Sequence, residues 1–165
     1  MGHLSTNAPA RSAPVRSSGV KAVFWGGLIA GTLDILAAFI NSGLHGGVPL
    51  RVLQGVASGL IGRSSFSGGL ATALLGLVCH FVIAFGAAGA YYGVSRVWPV
   101  LVRRAVICGL LYGIPVYLVT NYVVVPLSRI GHIIVNTPVQ MITALIILMV
   151  CVGLPISLAV RRFAG

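Results

Sequence analysis

Four apolar stretches, at 20–42, 69–97, 104–127 and 137–160, dominate this chain. A helix rises ~1.5 Å per residue, so about 20 residues cross the ~30 Å hydrocarbon core of a bilayer. Each stretch meets that length, and none shows the strict alternation of a barrel strand. Hydrophobic residues make up 58% of the 165 and charged residues only 7%. A water-soluble domain carries about 25% charged residues, so the surface expected here faces lipid. The expected fold class is an all-α membrane protein with four transmembrane helices.

Charge sets topology and narrows chemistry. Eleven Lys and Arg stand against a single acid, Asp34. A paired-carboxylate hydrolase, a multi-carboxylate Ca²⁺ loop and a two-metal phosphoryl-transfer site each need more than one acid. No Walker A pattern and no nucleophile elbow occurs, so no catalytic residue is expected and the chain reads as a non-enzyme. The basic residues fall in ones and twos where apolar runs end, which speaks for membrane topology and against nucleic acid. Arg11, Arg16, Lys21, Arg96, Arg103, Arg104, Arg161 and Arg162 belong to one side; Arg51, Arg63 and Arg129 belong to the other. The positive-inside rule then puts both termini in the cytoplasm.

Residues 1–19 are polar and rich in Pro and Ser, which predicts a disordered cytoplasmic tail ahead of a membrane domain at 20–163. The run at 22–40 is longer than a signal h-region and lacks an A-x-A site, so it is expected to be retained as the first span. Between the first two spans, Leu50, Leu53, Val56, Ala57, Leu60 and Ile61 recur at helical spacing, opposite Arg51, Gln54, Ser58 and Gly62. Pro49 suits a first helical turn. This pattern predicts an amphipathic interfacial helix at about 49–62, lying on the outer leaflet or packed across the mouth of the bundle. Arg51 and Arg63 make deep re-entry costly.

Gly27/Gly31, Gly55/Gly59, Gly89/Gly93 and Gly109/Gly113 are spaced for close helix approach. Pro115 and Pro155 should kink the third and fourth spans. Trp25, Trp98, Tyr91, Tyr92 and Tyr122 lie near span ends, where amphipathic rings favour the interface. Cys79, Cys108 and Cys151 sit in apolar runs and read as small buried hydrophobes. His45 and His132 fall in connections and His3 in the tail, so neither a metal site nor a haem axial pair is expected, and no cofactor.

Asp34 is the residue that demands an explanation. It lies 13 positions beyond Lys21, about 20 Å along a helix, and a carboxylate there costs ~2.5–3.5 kcal/mol on insertion scales. His80 on the antiparallel second span reaches comparable depth. A hydrogen bond or ion pair between them would satisfy both, with Tyr117, Thr120, Asn121 and Thr143 as further partners near that level.

The segments GGLIAGTLDILAAFI (26–40) and RVLQGVASGLIGRSSFSGGLATALLGLVCHFVIA (51–84) resemble small bacterial inner-membrane proteins grouped with the YagU-like (DUF1440) family. The positions that carry the likeness are Asp34, Leu53–Gln54, Gly68–Gly69 and His80. The resemblance implies a four-span membrane architecture and no particular activity.

Two functions fit these residues. The first is a structural or accessory component of a membrane complex, self-associating or joined to other chains, with the lipid bilayer as its surroundings. The alternative is a proton-coupled transporter or channel for a small solute, using the Asp34–His80 pair.

Overall fold

The computed structural model describes residues 15–131 and 137–164, with side chains from Ser18 onward. Among them there is no strand. Helix α1 (Val15–Leu44) is followed by α2 (Pro49–Ile61), a tight 3₁₀ segment (Gly62–Ser67) and α3 (Gly69–Val97). A short α4 (Val100–Arg103) turns the chain into α5 (Ala105–Val119), which continues through a wide π turn (Thr120–Val124) into α6 (Val125–Leu127). The last span is α7 (Pro138–Ile147), a second π turn (Leu148–Gly153) and α8 (Leu154–Ala164). Four helical segments, Ser18–Leu44, Gly69–Val97, Ala105–Leu127 and Pro138–Ala164, are long and apolar enough to cross a membrane. This is the expected all-α, four-span protein. Helix α1 starts at Val15, so 15–19 belong to it and not to the expected tail; the rest of that tail lies outside the described residues, as does His132.

Small residues form the core and large ones face outward. Ala22, Ala30 and Ala88 pack with Tyr91, Val152, Ile156 and Val160, while Leu74, Val78, Val82, Leu111 and Ile146 are exposed. That is the pattern for lipid, where apolar side chains gain nothing by leaving the surface and close packing holds helices together. Two of the four glycine pairs serve this packing fully. Gly27 and Gly31 of α1 lie under Phe85 and Phe81 of α3, and Gly109 and Gly113 of α5 meet Ser157, Gly153 and Met149 of the fourth span. Gly89 and Gly93 instead have nothing near them.

The expected kinks are displaced. Pro155 follows the second π turn, and Pro126, which the sequence reading passed over, follows the first. A proline lacks an N–H and its ring crowds the carbonyl four residues back. Those carbonyls belong to Cys151 and Tyr122, both inside the widened turns, which make room for the ring. Pro115 sits inside α5, where no such turn forms. Tyr91 is also displaced from its expected interfacial role: it is buried in the core and donates from its hydroxyl to Leu101 O at 3.0 Å. Trp25, Trp98 and Tyr122 are exposed near span ends.

Helix α1 packs against α3 on one side and the fourth span on the other, and the fourth span packs against α5. This order leaves α3 and the third span as the two ends of an arc. At the end of the bundle that holds the termini, the arc is tied by Tyr112, which stacks edge-on against Tyr91 at 4.9 Å and donates to Ala87 O at 2.9 Å. At the opposite end it is bridged by α2. There α2 crosses α3 in backbone contact at Gly76, where any Cβ would strike Leu53 O, and Arg129 N donates to Gly59 O at 2.8 Å.

Of the two expected placements, helix α2 takes the one across the mouth of the bundle, and it packs there through residues of both stripes. Gln54, Ala57 and Ser58 are buried against the protein, and Gln54 Nε2 donates to Gly69 O at 3.1 Å. Leu50 is exposed, and Leu60 is exposed at the rim of the cavity that α2 covers. Gly62, at φ +74°, ends the helix in a backbone conformation that a side chain resists.

Candidate functional site: an apolar cavity with one carboxylate

Between the tyrosine tie and the α2 bridge, the gap in the arc is a cavity of about 480 Å³, open on one side. This lies within the roughly 300–1,000 Å³ of small-molecule sites. Helix α1 supplies the back wall with Gly31 and Asp34; α2 supplies the roof with Val52, Gly55 and Val56. Cys79, His80, Ile83 and Ala87 of α3 form one flank. The other holds Val116, Thr120 and Val124 of the third span, with Leu148 and Val152 of the fourth behind. Ile83 and Val124, on facing flanks, are 40% and 38% exposed, and Leu60 at the edge of the roof is 56% exposed, so the cavity opens along the slot between α3 and the third span up to the rim of α2. Both π turns contribute wall residues. The widened turns thus reshape the backbone at the cavity itself, as such turns often do at functional sites.

Asp34 sits 10 residues from the α2 end of α1, about 15 Å along the helix. Its carboxylate faces the cavity and, among the described residues, makes no hydrogen bond and no ion pair. The expected direct bond to His80 is therefore corrected. His80 Nε2 donates instead to Gly31 O at 2.8 Å, one helical turn from Asp34. A carbonyl only accepts, so Nε2 carries a proton. The two groups remain close enough to interact electrostatically across the cavity. The geometric reason for the correction is competition: Gly31 has no side chain, so α3 approaches closely and brings its imidazole onto the α1 backbone.

Of the other expected partners, Thr120 lines the cavity. Tyr117 is buried and Asn121 is half-buried with its Nδ2 donating to Tyr117 O at 3.0 Å; neither lines the cavity, nor does Thr143 on α7. The cysteines are free and half-buried, and Cys79 lines the cavity. His45 donates from its ring to Asn41 O at 2.7 Å, closing the end of α1. No cluster of metal-ligating side chains forms among the described residues. Gly55, expected in a helix-packing pair, instead opens its Cβ-free surface onto the cavity, and sequence reasoning missed Gly76, which lets the roof sit down on α3. An isolated glycine in an apolar helical run was the available signal.

The arrangement offers a solute an apolar chamber with one acceptor of formal charge, a histidine nitrogen and a threonine hydroxyl. No family model, no curated protein and no solved structure matches the chain.

Proposed function

We propose that this protein is a proton-coupled carrier or channel for a small solute, with Asp34 and His80 at its binding site. It sits in a bacterial inner membrane with both termini in the cytoplasm. The observation that carries the reading is Asp34: an intramembrane carboxylate without a bonding partner among the described residues, facing an open cavity. A carboxylate kept only to clasp helices is expected to hold lasting hydrogen bonds, because an unpaired one is costly in lipid. One that binds and releases a proton or a solute must be free to exchange partners. The eight-to-three division of basic residues supports the orientation. The resemblance to YagU-like proteins is compatible with it.

The test is flux. Protein reconstituted in liposomes should carry protons down a pH gradient above a lipid-only control, and Asp34→Asn should abolish this while the protein stays folded. Flux unchanged in Asp34→Asn, or none from the native chain, overturns the reading.

A second reading, an accessory subunit or self-associating protein, draws on Gly86, Gly89 and Gly93. These leave α3 with an open small-residue face that the bundle does not use. Cross-linking between cysteines placed along that face, abolished by Gly89→Leu, is its test.

A further inference from the structure

We infer that the solute of this cavity is an alkylammonium: a compact apolar body bearing a primary or secondary amine, admitted sideways from the bilayer. The inference rests on the carrier reading and names its substrate class.

Three observations lead to it. The first is charge. Among the described residues no Lys or Arg lines the cavity, and the one formal charge on its wall is the Asp34 carboxylate. An anion would find no cationic partner there. An ionised carboxylate is an acceptor only, and the group that complements it in a dry site is a cation carrying N–H donors. The second is the wall. Val52, Val56, Ile83, Val116, Leu148 and Val152 surround the carboxylate with hydrocarbon, which suits an apolar body and offers a strongly hydrated solute no replacement for its water shell. The third is the entrance. The open side is the slot between α3 and the third span, with Ile83 and Val124 exposed on its flanks. The ends of that slot are closed by the α2 bridge and the Tyr112 tie. A molecule that partitions into lipid reaches such a slot directly.

Cys79 provides a reporter inside the cavity. With Cys108 and Cys151 replaced by Ala, its alkylation by N-ethylmaleimide in purified, detergent-solubilised protein reads occupancy. The probe pair is 1-adamantylamine and 1-adamantanol, matched in shape and differing in charge. The amine should protect Cys79 and the alcohol should not. Asp34→Asn, isosteric and uncharged, should weaken amine protection about ten- to hundredfold, the loss of one charge-assisted bond in a dry site. Gly55→Leu is the second variant: its side chain enters open space in the roof and should block protection with the carboxylate intact. Equal protection by amine and alcohol, persisting in Asp34→Asn, overturns the inference. So does Asp34-dependent proton flux with no amine protection, which leaves the carrier reading standing. Amine protection that depends on Asp34, without flux, supports the ligand class and overturns the carrier reading instead.

Discussion

A single methyl group added at Gly113 should separate the third and fourth spans, and the same methyl at Gly89 should not. A Cβ at Gly113 would contact Met149 Cα, with Met149 N at 2.5 Å and Met149 Cγ at 2.8 Å. Carbon contacts are optimal at ~3.5–4.0 Å, so the helices must part by about 1 Å, a gap that forfeits a quarter to a half of each contact along the seam. Overpacking of this kind costs about 1–3 kcal/mol. Replacing Gly by Ala inside a helix returns up to about 1 kcal/mol through propensity alone. Gly89 has nothing within 4 Å of its Cβ position, so Gly89→Ala keeps the propensity gain without the clash. Subtracting one variant from the other cancels propensity and leaves a difference of about 1–3 kcal/mol, Gly113→Ala being the less stable. Reversible unfolding in mixed micelles, titrated with a denaturing detergent and followed by circular dichroism, measures it. Equal stabilities, or a greater loss at Gly89, would refute the assignment of Gly109 and Gly113 as the inner seam and Gly89 and Gly93 as the outer face.

Three shorter expectations follow from the same geometry. Asp34→Asn should keep or raise stability in the same titration, because no bond is broken and a buried charge is removed; a loss beyond about 1 kcal/mol, the net worth of one hydrogen bond, would mean the carboxylate is structurally paired. Thr137→Ala removes the capping box in which Thr137 and Gln140 satisfy each other's backbone N–H, at 3.0 and 3.3 Å, and should cost about 0.5–2 kcal/mol. In a background without native cysteines, Arg63→Cys should react with an impermeant maleimide in intact cells and Val100→Cys should not; the reverse pattern would invert the proposed orientation.

What could be read in the sequence, and what could not, divides along physical lines. The spans were legible because length and hydropathy alone decide whether a helix crosses a bilayer, and α2 was legible because Pro49 and helical spacing mark a local element. That Asp34 and His80 share a level followed from counting residues along antiparallel helices. Their failure to bond did not, since it depends on Gly31 and Phe81 setting how closely α1 and α3 approach. The π turns were half legible. Pro155 announced one, but the other precedes Pro126 and none precedes Pro115, because whether a proline widens a helix depends on what neighbouring spans allow at the freed carbonyl.

The orientation of α2 shows why the remainder of the site stayed hidden. An amphipathic helix beside water turns its apolar stripe inward, since burying hydrocarbon is what stabilises it. Where the outside is hydrocarbon too, that drive vanishes and the polar stripe decides. Gln54 carries donors that lipid cannot satisfy, so it turns toward Gly69 O, and Leu50 is left outside at little cost. In that orientation Val56 and Ala57 of the apolar stripe also face the protein, Gly55 and Val56 form a roof, and with the roof comes the cavity. Arg51 does not prevent this arrangement: it is exposed near the start of α2, its guanidinium 5.6 Å from the Phe66 ring, and the helix packs through the turns that follow. The binary pattern at 49–62 was thus read correctly as a helix with two unlike faces. Which face turned inward depended on the solvent.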